Sequence, residues 1–216
     1  MKTIYLVRHG EAEGNAARFY QTATTPLTDK GRGQAQLMAE RARKLPVDII
    51  VSSTMDRAKE TASIIASKMD MPIEHSGLFV ERRRPSEQLG QSKDDPNVCA
   101  IDELLRANFG QSGWHYSDEE NFDELKDRAG RALAFLLERP EDRMLVVGHG
   151  LFTLILIARA IFGEKLFPAE CAAFLRAIHI GNTGISILHH DNRDEEGVRS
   201  PSYWKLHALN DQAHLG

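Results

Sequence analysis

The chain alternates between short, wholly apolar runs and longer stretches whose apolar residues recur every three or four positions. Ile4-Tyr5-Leu6-Val7 and Met144-Leu145-Val146-Val147 are runs of the first kind. Both stop at polar residues and glycine, as Arg8-His9-Gly10 and Gly148-His149-Gly150. A continuous apolar run that ends this way reads as a buried parallel strand leaving its sheet. The spans are about 2–8 and 143–148. Residues 48–51 have the same character, and 71–75 form a shorter candidate. Ala35, Met38, Ala42 and Leu45 fall at helical spacing behind Thr28, a ready N-cap. Ser53-Thr54-Met55-Asp56 reads as a capping box for a helix ending near Ser67. Phe122, Leu125, Ala129, Leu133 and Leu136 trace the stripe of another helix. Residues 151–162 are apolar nearly throughout, yet fall short of the roughly 18 that a membrane span needs. They read as a buried helix. Residues 174–179, 184–189 and 203–209 read as later strands, the last two joined as a hairpin by the charged turn 191–197.

Strands alternating with helices predict an α/β fold, a three-layer α/β/α sandwich around a mainly parallel sheet. Residues 85–120 break the pattern, with Pro85, Gly90, Pro96, Gly110 and Gly113 among scattered apolar positions. They read as an irregular lid or insertion with one helix near 101–107. No internal repeat or Gly/Ser linker interrupts the chain, so one domain over residues 1–216 is the simplest organisation.

Composition narrows the picture. At 42% hydrophobic and 27% charged, the chain is an ordinary globular sequence. A net charge of −4 without a basic stripe gives no reason to expect nucleic acid. Cys99 and Cys171 make neither a disulfide framework nor a thiolate metal site. The apolar stretch before Arg8 is too short for a signal-peptide core. A cytoplasmic location and no membrane partner are expected. Oligomeric state is not encoded legibly, and a homodimer stays open.

Ligands of open α/β sheets bind beyond the carboxyl ends of the strands. His9 and His149 therefore converge on one crevice, and Arg8 beside them points to an anionic ligand. Arg8-His9-Gly10-Glu11, with Asn15 following, carries a resemblance. So do Leu27-Thr28-x-x-Gly31 with Gln34-Ala35, and Ser52-Ser53 with Arg57-Ala58 and Thr61-Ala62. Val147-Gly148-His149-Gly150 and Asn182-Thr183-Gly184 complete the ordered set. This set resembles the histidine phosphatase superfamily, also called phosphoglycerate mutase-like.

The resemblance implies that His9 is a nucleophile that becomes phosphohistidine, with His149 its protonated partner on the phosphoryl oxygens. Arg8, Arg57, Asn15 and Gly150 are implied as phosphate contacts, and Glu11 as a residue that orients its neighbours. The residue chemistry agrees. Guanidinium forks match phosphate oxygens. Neutral imidazole is available as a nucleophile near pH 7. The charge of His149, beside two arginines, is expected to follow the presence of phosphate. The general acid is expected at Glu81, in Leu78-Phe79-Val80-Glu81, with Glu87 as runner-up. The family's usual continuation after Glu81 is absent, and Arg82-Arg83-Arg84-Pro85 stands there instead. Arg82 and Arg83 are candidates for a second anionic group of the substrate, or for a solvated basic turn.

The implied activity is a metal-independent phosphomonoesterase of the histidine acid phosphatase type. Its substrate would be small and phosphorylated, and no cofactor is expected. None of the nine histidines sits at metalloenzyme spacing, so no metal site is expected. A phosphoglycerate mutase-type phosphotransferase is the alternative. Glu13-Gly14-Asn15-Ala16-Ala17-Arg18 lacks the Trp-Asn element of mutases after the first histidine. A catalytically inactive phospho-ligand module is the third reading, and retention of the charged set argues against it.

Overall fold

A computed structural model describes residues 1–193 and 199–216. Among the described residues six strands form one sheet: β1 (Lys2–Arg8), β2 (Ile49–Ser52), β3 (Ile73–His75), β4 (Arg143–Gly148), β5 (Ile185–Arg193) and β6 (Arg199–Asp211). Their order is β3-β2-β4-β1-β5-β6. β1, β2, β3 and β4 are mutually parallel, whereas β5 runs antiparallel to β1 and β6 antiparallel to β5. The helices are α1 (Glu13–Ala16), α2 (Asp29–Ala42), α3 (Asp56–Met69), α4 (Pro96–Ala107), α5 (Phe122–Glu138), α6 (Gly150–Phe162) and α7 (Pro168–Ala177).

Side-chain alternation along the strands divides the core into two layers. Tyr5, Val7, Ile50, Leu145 and Val147 face α2 and α3. Ile4, Leu6, Val51, Met144 and Val146 face α5 and α6. This is the expected three-layer sandwich. The apolar runs are continuous because the central strands are covered on both faces.

Three sequence expectations need correction. Residues 174–179 are not a strand but mostly the last turn of α7. Pro168 supplies a preset first helical position, and buried Cys171 with Phe174 and Leu175 turns one face toward the α6 layer. The run Phe-Leu-Arg-Ala-Ile-His fits both periods, and packing on α6 decides. The capping box at Ser53 does not form. Met55 is the N-cap of α3, because Ser53 Oγ is turned to His149 Nε2. The helix expected at 101–107 starts earlier, at Pro96, where the Asp95 side chain accepts from Asn97 N and Val98 N. Thr28 does cap α2, accepting from Gly31 N. β5 and β6 pair as the expected hairpin, and most of the turn at 191–197 lies outside the described residues.

Candidate active site

β1 and β4 are adjacent and in register, with Arg8 opposite Gly148. That pairing delivers His9 and His149 to the carboxyl ends of neighbouring strands, with ring centroids 5.1 Å apart. Both are buried, at 3% and 0% exposure. His9 Nδ1 lies 2.6 Å from the Gly10 carbonyl oxygen, which assigns the ring hydrogen to Nδ1 as donor. The lone pair is then on Nε2, where Arg57 Nε donates to it at 3.2 Å. His149 Nε2 lies 2.8 Å from Ser53 Oγ. Ser53 Oγ also accepts from Met55 N at 3.2 Å, and its hydroxyl has both a hydrogen and a second lone pair to offer His149 Nε2. His149 Nδ1 and Arg8 Nε are buried and meet no hydrogen-bond partner among the described residues. Buried polar atoms without a partner are costly, and two in one crevice, one of them a guanidinium N–H, fit a polar anionic ligand.

The backbone around His9 is pinned from three sides. Gly10 N donates to Thr61 Oγ1 on α3, at 3.1 Å. Asn182 Nδ2 donates to His9 O at 3.0 Å. Thr183 N donates to Arg8 O at 3.0 Å. The turn also packs backbone against backbone on α2. A Cβ on Gly10 would meet Gly31 O at 2.4 Å, and one on Gly31 would meet Glu11 O at 2.0 Å. Glu11 holds this seam, with its amide on Gln34 Oε1 at 2.8 Å and its carboxylate on Thr28 and Lys30.

Arg57 is 3% exposed. Nη1 donates to Thr22 O at 2.9 Å, so the guanidinium is fixed in one plane. Burial, and Arg8 nearby, pull its pKa down to about 10 against the opposing pull of Glu81. Burial also lowers Arg8, with Glu81 opposing. Arg8 Nη1 donates to Ile180 O at 2.5 Å. Burial, then Arg57 and Arg8, hold His9 well below its ordinary 6.5. His149 is held well below it too, by burial first and then by His9, Arg57 and Arg8. Both rings are therefore neutral in the unliganded protein at neutral pH.

A cavity of about 490 Å³ opens over His9, lined among others by Arg8, Asn15, Tyr20, Arg57, Glu81 and Lys93. Asn15 Oδ1 is engaged with Ala12 N at 3.1 Å, which leaves its amide group as a donor toward the cavity. Glu81 sits in the wall and accepts from Phe152 N at 2.9 Å and Leu151 N at 3.3 Å. Its carboxyl group thus caps the amino end of α6 and satisfies two of the amides left unpaired there. Buried Arg128 braces the approach, donating to Leu78 O at 3.0 Å and Val80 O at 2.8 Å while paired with Glu120. Glu87 is exposed and does not line the cavity. Gly150 serves by smallness, since a Cβ there would lie 3.2 Å from Arg8 Nε.

Arg82, Arg83 and Arg84 all line the cavity wall, and only Arg83 of the three is exposed. Arg82 lines the cavity with its guanidinium paired to buried Glu119. Arg83 is exposed and donates to Asp118 O at 2.5 Å. Arg84 pairs with Asp102 at 2.8 Å and lies 4.6 Å from the Tyr20 ring centre. Lys93 had no signal in the sequence. It approaches the same ring to 5.2 Å and makes no ion pair among the described residues. Burial, then Arg84, Arg18 and Arg8, lower its pKa. Among the described residues no group of three His, Cys, Asp or Glu is placed to hold a metal. No helix there is long and apolar enough to cross a membrane. Another depression, about 580 Å³, opens at the opposite end of β1 and β4. Its Asp48 and Arg143 neutralise each other, and it contains no imidazole.

Known proteins are similar to this chain. A curated Salmonella arizonae protein named probable phosphoglycerate mutase GpmB is 32% identical, over all of this chain and 95% of its own length. A structure described as a putative alpha-ribazole-5'-P phosphatase from Escherichia coli superposes with a TM-score of 0.77 at 25% identity, covering 99% of this chain and 98% of that one. Bacillus stearothermophilus YhfR shares the fold, with a TM-score of 0.79 at 24% identity over both whole chains. The sequence profile of the histidine phosphatase superfamily (branch 1) matches residues 4–200. The chain belongs to that superfamily.

Proposed function

We propose that this protein is a phosphomonoesterase that works through a phosphohistidine at His9. The observation that carries the reading is the Nδ1–H···O=C bond of His9, which leaves a buried neutral Nε2 lone pair aimed at Arg57. In the reaction Nε2 attacks phosphorus while the phosphorus–ester oxygen bond breaks. Arg8, Arg57 and His149 hold the phosphoryl oxygens, since catalysis of this transfer is largely positioning and charge stabilisation. The leaving alkoxide takes a proton from Glu81. Water then attacks the phosphohistidine, Glu81 recovers its proton from that water, and orthophosphate leaves with His9 restored.

The mutase reading shares the first half of this sequence and is favoured by the names of the curated relatives. There the phosphoryl group returns to an isomer of the substrate instead of passing to water. The test is a panel of phosphorylated metabolites assayed for both orthophosphate and isomer, with wild type and His9→Ala in parallel. Orthophosphate release and an acid-labile phosphoprotein are expected in wild type alone. Isomer formation without orthophosphate would establish the mutase, and unchanged hydrolysis by His9→Ala would remove the nucleophile.

A further inference from the structure

A second cavity, about 340 Å³, adjoins the first and shares Arg82, Arg84 and Leu151 with its wall. It lies between α4 and α7. Leu105, Phe109, Leu151 and Leu175 give it apolar sides. Its acid and two of its bases are already matched. Asp102 accepts from Arg84, Tyr20 and Gln88, and Arg82 is paired with Glu119. Two cations at its rim are unmatched. Arg106 and Arg176 are exposed and make no hydrogen bond or ion pair among the described residues.

We propose that this compartment receives the leaving alcohol, and that the preferred substrates are phosphomonoesters whose alcohol carries an apolar segment ending in a second anionic group. The proposal rests on the phosphomonoesterase reading of the adjoining site. The phosphoryl group takes the His9 end. The apolar segment passes Leu151 and lies against Leu105, Phe109 and Leu175. A carboxylate or phosphate at its far end reaches Arg106 and Arg176. The apolar walls reward methylenes, and the unpaired guanidiniums reward a charge placed beyond them. Arg84 cannot take that role, because Asp102 already holds it at 2.8 Å.

The experiment measures kcat/KM for n-alkyl phosphates from ethyl to octyl, for ω-carboxyalkyl phosphates and for α,ω-alkanediyl bisphosphates of the same lengths. Efficiency should rise by roughly fourfold per methylene until the compartment is filled. At the best length an anionic end should outperform a methyl end, and the two anionic series report which group is preferred. In Arg106→Gln/Arg176→Gln the ratio of anionic-ended to methyl-ended efficiency should fall at least tenfold. A ratio cancels any general loss of folded enzyme. Flat length dependence, or an unchanged ratio in the double variant, overturns the proposal. Calorimetric binding of the same compounds to His9→Ala, with and without the two arginines, needs no turnover. If no compound is hydrolysed, the phosphomonoesterase reading fails and the binding ratios still decide this one.

Discussion

Arg57 Nε donates to the very lone pair of His9 that the proposed attack requires. An entering phosphoryl oxygen offers the guanidinium a charged acceptor in exchange and frees Nε2 for phosphorus. Hydrogen bonds to charged groups are worth about 1.5–3 kcal/mol net. Arg57→Ala should therefore lower kcat/KM by about a hundredfold and weaken vanadate inhibition in step. Arg57→Lys should restore little, because an ammonium cannot keep the bond to Thr22 O while reaching the phosphate. Steady-state kinetics check this, and a loss below about threefold in Arg57→Ala would place Arg57 outside the reaction. The positions of His9, His149 and Arg8 were legible because strand ends announce themselves locally, whereas Arg57 came with the resemblance. Lys93 was not legible. It sits in an irregular segment without periodicity, and the Tyr20 ring that locates it comes from a distant loop. The apolar run before Glu81 was readable, but the α6 amides that hold its carboxylate are a tertiary fact.

The seam between the His9 turn and α2 gives two glycines of one helix opposite meanings. Gly31 has no room for a side chain, its Cβ falling 2.0 Å from Glu11 O, whereas Gly33 has nothing within 4 Å. Gly33→Ala should stabilise the protein by about 0.4–1 kcal/mol, through reduced freedom of the unfolded chain and better helix propensity. Gly31→Ala must push α2 away from Glu11 and Gly10, and with them His9. It should lower both the midpoint of urea unfolding and the turnover. Urea melts and kcat/KM on the two variants decide the matter, and equal effects at both sites would contradict the seam. The elements themselves were mostly readable. Runs buried on both faces gave β1, β2 and β4, and the Phe122–Leu136 stripe gave α5. α7 was misread because its last turn satisfies a strand period as well, and only contact with α6 separates the two. α4 was shortened at its start because its first turn is set by cap chemistry at Asp95 and Pro96, with Val98 the one buried residue ahead of Ile101.

At the scale of the whole molecule, the site makes stability depend on pH. Two buried imidazoles are held neutral, both with pKa values well below 6.5. The unfolded chain titrates them near 6.5. Below that pH the unfolded state binds protons that the native state refuses, so unfolding takes up protons and native stability falls as the solution is acidified. Above about pH 7.5 neither state is protonated and the effect vanishes. Between pH 7.5 and 5.5 each such histidine costs up to about 1.4 kcal/mol, on the order of 3–6 °C in Tm for a chain of this size. Burial also lowers His189, His190 and His214, so the total slope is not the site's alone. A difference isolates the site. His149→Gln keeps a polar group beside Ser53 and removes one titration, so its acid-side loss of Tm should be smaller than that of wild type by one histidine's share. Phosphate should act in the same direction on wild type. A dianion beside His149 favours the imidazolium, so binding takes up a proton and the complex loses less stability on acidification. Calorimetry in buffers of different ionisation enthalpy should show that uptake in wild type and its loss in His149→Gln. Parallel Tm curves for the two proteins, together with the same net proton transfer on phosphate binding in both, would mean that His149 does not change charge with the ligand.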